Sequence, residues 1–306
     1  MRDLFRETQL SLDDLIHPIF VEEHVSDFQP IVSMPGINRV PESMLAQEVE
    51  ILAAAGIKAV LLFGVSHNKD DVGSDTWRKD GLVSRMTRIA KKAVPEMLVI
   101  VDVCFCEYTE HGHCGVIKNG KLANDATLDN LKMQAVAVAS AGADIVAPSG
   151  MIDGQVVALR GALDGAGFEN VAIMSYSAKQ ASNFYAPFRE AAGSGILVDR
   201  NSYQLDPGNA REALNAVLED ARQGADVLLI KPALSSLDLI SGVRRAASIP
   251  CGAYQVSGEY SMIKFAAQAG VLDEEAVCRE TLTAIKRAGA DVIVSYFAKQ
   301  IALNGL

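Results

Sequence analysis

Short apolar runs alternate with longer amphipathic stretches along this chain. The runs are three to six residues long and rich in branched side chains. Little polar residue interrupts them, which is the pattern of strands buried on both faces in a parallel sheet. Eight are predicted, at residues 16–21, 59–63, 98–103, 145–147, 171–175, 227–230, 252–256 and 292–295. Between most of them the apolar positions recur at helical spacing. Residues 125–141 carry Leu128, Leu131, Ala135, Val138 and Ala139 on one stripe, and 211–222 and 274–288 behave alike. Another helix is predicted from Pro41, in its first turn, to Gly56 at its end. Residues 22–42 hold no helical pattern.

One phrase recurs where a helix hands over to a strand. Ala141-Gly142-Ala143-Asp144, Gln223-Gly224-Ala225-Asp226 and Ala288-Gly289-Ala290-Asp291 each precede an apolar run, with a looser copy at Ala55-Gly56-Ile57-Lys58. A glycine in that place fits a helix C′ position opening a short loop. The spacing is irregular, so this is a repeated joint and not a solenoid. Eight strands alternating with helices in 306 residues predict an α/β chain of (β/α)8 TIM-barrel type. Residues 1–12 read as a short N-terminal arm and 13–306 as one barrel domain. No strand is followed by a glycine-rich dinucleotide fingerprint.

Composition narrows the partners. A net charge of −10 argues against nucleic acid or an anionic membrane. No apolar run approaches the roughly 18 residues of a membrane span, and the charged start MRDLFRETQLSLDDL has no signal-like core. A cytoplasmic location is expected, where the five cysteines are poor disulfide candidates.

Barrel enzymes keep their chemistry just past the C-terminal ends of the strands. Lys231 closes the run in ADVLLIKP, and lysine is seldom buried without a reason. Either it snorkels to water or pairs with a carboxylate, or it is held poorly solvated with a depressed pKa and can attack a carbonyl. Lowering a lysine from about 10.4 to neutrality takes roughly 4–5 kcal/mol. Burial and a second cation would supply that, and Lys179 follows the neighbouring strand. Two such amines imply two carbonyl groups. Ser177, Ser257, Glu259, Ser295 and Tyr296 also fall at strand ends.

Cys104, Cys106 and Cys114 give Cys-x-Cys-x7-Cys. If the strand continues, Cys104 and Cys106 point the same way and a loop returns Cys114 to them. Three thiolates would hold zinc with a fourth position open; the alternative is three buried thiols. His111 and His113 are alternative ligands or orienting groups. A long connection, 179–205, has the size of an active-site lid. Its Arg189 and Arg200 suit a substrate carboxylate, or else make ordinary surface ion pairs.

The stretches LSLDDLIHPIFVEE, DVCFCEYTEHGHCG, SYSAKQASNFYAPFREAAGS, DRNSYQ, LLIKPA and GAYQVSGEYSMIKFAAQAG resemble the porphobilinogen synthase (5-aminolevulinate dehydratase) family over nearly the whole chain. The resemblance implies condensation of two 5-aminolevulinate molecules to porphobilinogen in tetrapyrrole synthesis, with Schiff bases on Lys231 for the first substrate and Lys179 for the second. It implies a catalytic zinc on Cys104, Cys106 and Cys114. It puts one carboxylate on Arg189, Arg200 and Gln204, the other on Ser257 and Tyr296, with Tyr185 and Phe188 as walls and Asp102 beside the site. Ala216 stands where many bacterial relatives carry a glutamate for an allosteric Mg2+, so that ion is not carried over. Ser236 replaces a usual tyrosine. The arm, which wraps a neighbour in the family's octamer, is short, so a dimer or hexamer is also expected. Two rival readings are a class I aldolase-like Schiff-base lyase with one lysine and a structural zinc, and a zinc-storing scaffold.

Overall fold

The structure, a computed structural model, describes residues 1–194 and 199–305. Eight parallel strands run in sequence order: β1 (Leu15–Glu22), β2 (Ala59–Val65), β3 (Leu98–Val103), β4 (Ile145–Pro148), β5 (Ala172–Lys179), β6 (Val227–Lys231), β7 (Cys251–Gln255) and β8 (Val292–Ser295). The barrel closes where Leu15 and Ile16 of β1 pair with Ile293 and Val294 of β8. The helices are α1 (Leu45–Ala54), α2 (Leu82–Ala93), α3 (Asn124–Ser140), α4 (Gln155–Gly165), α5 (Ala186–Ala191), α6 (Ala210–Arg222), α7 (Leu237–Ala246), α8 (Ser257–Gln268), α9 (Glu274–Ala288) and α10 (Ala298–Asn304). This is the (β/α)8 barrel the alternation predicts. Nearly every strand residue is buried, inside the barrel or under the helices.

The recurring joint has a second function that its glycine alone does not reveal. Gly142 and Gly224 take φ of 102° and 101°, as a helix C′ position requires. The aspartate two residues on then reaches the neighbouring strand. Asp144 accepts from the Val99 amide at 2.8 Å, Asp226 from Ile173 at 2.8 Å and Asp291 from Cys251 at 2.9 Å. Each carboxylate thereby ties the entrance of one even-numbered strand to the odd one before it, satisfying an amide that the ladder leaves open.

Residues 22–42 contain no α-helix, as read. Asn38–Pro41 instead pairs in parallel with the top of β1, Phe20 opposite Arg39, and Gln29–Pro30 pairs antiparallel to it. These short strands raise the barrel wall on one side of the mouth. In the arm, Arg2–Phe5 forms a single 3-10 turn with Leu4 and Phe5 exposed. Among the described residues no helix is long and apolar enough to cross a membrane.

One strand end runs past expectation and another stops where predicted, and both matter to the site. β5 runs four residues past Ser175, to Lys179, with a register shift between Ser175 and Ala178 opposite β6. That bulge breaks the period of two, so that Tyr176 and Lys179 come to the same side of the strand; the Lys179 Nζ lies 5.8 Å from the Tyr176 ring. β3, in contrast, stops at Val103. Cys104 and Cys106 therefore do not meet by strand alternation. A turn brings them together, with the Tyr108 and Thr109 amides both donating to the Phe105 carbonyl.

Candidate active site

Lys179 and Lys231 are register partners at the ends of β5 and β6, and both are buried. The Lys231 Nζ sits among four rings, 4.6 Å from the centroid of Tyr254, 4.8 Å from Tyr185, 5.2 Å from Tyr176 and 5.4 Å from Phe188. Burial first, and the Lys179 ammonium second, lower its pKa to about 7. Lys179 donates from Nζ to the Ser149 carbonyl at 2.6 Å, and the Ser149 hydroxyl donates to Asp102 at 3.1 Å. Burial, then the Glu107 carboxylate, push the Asp102 carboxyl up to about 8.

The loops beyond the two strands are locked together. The Tyr185 hydroxyl donates to the Gln180 carbonyl at 2.7 Å and lies 3.2 Å from the Lys231 carbonyl. Ser236 donates to the Gln180 side-chain oxygen at 2.9 Å, and both residues are buried. Glu259 is absorbed structurally: its carboxylate accepts from the amides of Val256 and Leu234 at 2.7 and 2.6 Å, bracing α8 against the turn after Lys231. Burial lifts its pKa to about 7.

Cys104, Cys106 and Cys114 are buried, and their sulfurs lie within 4.8 Å of one another. The Cys106 thiol is pushed up by its contacts with Cys104 and Cys114 and by burial, while the same two neighbours pull Cys114 down. Three sulfurs competing for protons in a dry pocket suit a soft divalent cation. His111 contacts the Asp71 carbonyl at 3.0 Å, whereas His113 lies 3.4 Å from the hydroxyl of Tyr203, which packs on the three cysteines and accepts from the Cys114 amide at 3.5 Å.

A small cavity brings Asp102, Cys106, Lys179, Lys231, Tyr185, Phe188 and Arg200 together. Arg189 and Gln204 line the adjoining cleft with Arg200. The lid's return is pinned there because Leu205 donates its amide to the Lys179 carbonyl at 3.1 Å and accepts from Ala181 at 2.8 Å. Residues 195–198 of the expected lid lie outside the described residues. Ser257 and Tyr296 sit one layer out. Ser257 donates to the Phe184 carbonyl and accepts from the Phe188 amide, and Tyr296 accepts from the Tyr254 hydroxyl at 3.0 Å. Among the described residues the Arg200 Nε, Gln204 Nε2 and one Glu107 oxygen are buried without partners. Unpaired buried polar atoms are costly, and their gathering here marks a place for a polar ligand.

Sequence reasoning missed Tyr176, Tyr254, Ser149 and Glu107. Ser149 follows β4 directly, so the strand-end rule could have found it. Tyr176 directly follows the run predicted at 171–175, so the same rule reaches it, whereas Tyr254 lies within a strand, where only the barrel's inward direction distinguishes it from core.

A barrel with two lysines at adjacent strand ends beside three clustered thiols has the equipment of a carbonyl-condensing lyase. Comparison with known proteins names the kind. A family model described as delta-aminolevulinic acid dehydratase matches residues 1–304. The delta-aminolevulinic acid dehydratase of Escherichia coli K12 is 59% identical over 302 residues, covering 99% of this chain and 93% of that protein. The one from Archaeoglobus fulgidus is 50% identical over 303 residues, covering 99% and 94%. The crystal structure of the delta-aminolevulinic acid dehydratase (porphobilinogen synthase) of Toxoplasma gondii ME49 with the product porphobilinogen matches at a TM-score of 0.96 and 40% identity, over 99% of this chain and 87% of that one. The chain belongs to the delta-aminolevulinic acid dehydratase family.

Proposed function

We propose that this chain condenses two molecules of 5-aminolevulinate to porphobilinogen through Schiff bases on Lys231 and Lys179. The observation that carries the reading is the buried Lys231 amine, held near neutral pKa and in register with a second buried lysine. At pH 7 a large fraction of Lys231 is the free amine, able to attack the ketone of the first substrate. The ketone oxygen leaves as water. Lys179, held toward Ser149, takes the second ketone in the same way, and both amines are regenerated when the ring closes. Only the two ketone oxygens depart, which gives the two waters.

The other side chains position and enclose. Arg189, Arg200 and Gln204 would hold the second substrate's carboxylate, with Arg200 the best placed for it. Its Nη2 is already fixed on the Gly112 carbonyl at 2.9 Å, which leaves other donors to form a fork. Ser257 and Tyr296 would receive the first carboxylate, Tyr185 and Phe188 exclude water around Lys231, and Asp102 orients Ser149. Cys104, Cys106 and Cys114 would hold a zinc ion, which when bound acts as a Lewis acid on a substrate oxygen. Ala216 on α6 offers no side-chain oxygen, so no magnesium is assigned to it. The exposed Leu4 and Phe5 of the arm suit burial on a second copy in a homo-oligomer, and the five free cysteines suit the cytoplasm.

Borohydride added during the first turnover with 5-aminolevulinate is expected to attach substrate to Lys231; mass spectrometry finding no adduct there would remove the chemistry. The rate at limiting substrate is expected to fall as pH drops below about 7, where Lys231 becomes an ammonium. An acid limb centred below pH 5 would mean that another group controls the reaction.

A further inference from the structure

The structure assigns to Arg39, on the short strand beside β1, the positioning of the lid helix that carries Phe188 and Arg189. Helix α5 has six residues, too few to hold its shape without tertiary support. Its start is tied by Ser257, through the Phe184 carbonyl and the Phe188 amide. Its end presents its last carbonyls outside the α-helical ladder, of which that of Glu190 also receives the Gly193 amide at 3.2 Å in a tighter turn. Arg39 takes two of them. Its Nε donates to the Ala191 carbonyl at 2.8 Å and its Nη2 to the Glu190 carbonyl at 2.7 Å. The third nitrogen, Nη1, donates at 3.0 Å to Glu22, whose carboxylate is buried and also meets His67 at 2.8 Å. A guanidinium suits this place because its planar fork spans two adjacent carbonyls while a carboxylate fixes its far side, and a cation favours a helix C-terminus. Lys69 adds a contact to the Gly193 carbonyl at 2.8 Å.

The consequence is geometric. Arg39 lies opposite Phe20 in the sheet, and Phe188 packs on Phe20 and Phe63 with centroids 5.6 and 5.1 Å away. The barrel wall thus sets the height of α5 over Lys231 from both sides of the Phe188 ring. Arg189 immediately precedes the two carbonyls that Arg39 holds. Arg39 touches no reacting atom and acts through Arg189 and Phe188, so the inference rests on the roles proposed for those two residues above.

The test combines kinetics with hydrogen exchange on the full chain. Arg39→Met is expected to raise KM for 5-aminolevulinate about tenfold or more, with kcat within about threefold, as loss of charge-assisted contacts predicts. Exchange in residues 186–194 should quicken about tenfold while the barrel strands keep their protection. Arg39→Lys keeps the pair with Glu22 but cannot bridge both carbonyls, and should give an intermediate KM. Unchanged KM, with or without faster exchange, overturns the assignment. If Arg39→Met also loses protection in the barrel strands, Arg39→Lys decides: wild-type KM and wild-type exchange there overturn it. The exchange measurement needs no substrate. A wild-type protein that makes no porphobilinogen, yet loosens at 186–194 on substitution, would fault the functional reading and not the tether.

Discussion

Lys231→Met is expected to abolish porphobilinogen formation, by on the order of 10^4-fold, while making the fold more stable. The two effects share one cause. In the unfolded chain this amine has an ordinary pKa near 10.5, and in the fold it has about 7. Below pH 10.5 the folded protein must either bury an ammonium or give up a proton that the unfolded chain retains. At about 1.4 kcal/mol per pKa unit, that costs at most about 4–5 kcal/mol. The rings of Tyr254, Tyr185, Tyr176 and Phe188 favour the cation and return part of it, roughly 0.5–2 kcal/mol for a desolvated contact. A net gain of about 2–4 kcal/mol for the methionine variant is therefore expected near pH 7. The sign with pH is fixed. The penalty is complete below pH 7, fades as pH rises from 7 toward 10.5 and vanishes above that, so the melting curves of wild type and variant should converge in alkali. A variant less stable than wild type at pH 7 would mean that Lys231 is not held against its own solvation.

Removing the metal is expected to have the second largest effect. With Cys104, Cys106 and Cys114 emptied by a chelator, porphobilinogen formation should fall by at least about 100-fold and return with zinc. Because substrates also bind metals weakly, a readout independent of turnover is needed. Zinc at a hundred times its dissociation constant should stabilise the fold by about 2.7 kcal/mol. It should release protons on binding, since burial and neighbouring sulfurs keep Cys106 protonated without it. Cys106→Ser should weaken all three responses together, and the borohydride adduct at Lys231 should survive the chelator. Zinc that alters neither the melting temperature nor the proton balance would leave the cysteines as three buried thiols.

These outcomes also separate the rival readings. An aldolase-like enzyme would keep activity without zinc and need one lysine, whereas here two lysines face each other across adjacent strands. A storage scaffold would bind zinc and make no adduct.

Much of the design was legible in residues alone because it depends on local periodicity. The apolar runs, the helical stripes and the glycine at each joint are short-range consequences of backbone geometry, and they located all eight strands and the mouth that carries Lys231. The cysteine spacing marked the three as a candidate cluster, although ten steps of extended chain could reach over ~30 Å and only the returning loop closes it. What local pattern could not express was direction and register. The end of β5 read as loop because Ser177 and Lys179 interrupt its apolar run, and only pairing with β6 shows the strand continuing through a bulge. Cys104 and Cys106 meet through a turn that no period of two foretells.

The chain's own order of side chains determined the barrel, its orientation and which end bears the lysines, because burial of each run against its neighbours leaves one economical closure. Tertiary structure alone decided the rest. The lowered pKa of Lys231 comes from burial by groups of other strands and of the lid and from an ammonium on β5, and the seat of Phe188 from Arg39, 149 positions earlier in the chain. Solvation and hydrogen bonding act through space, over a few ångströms, and only the closed barrel brings those groups within that range.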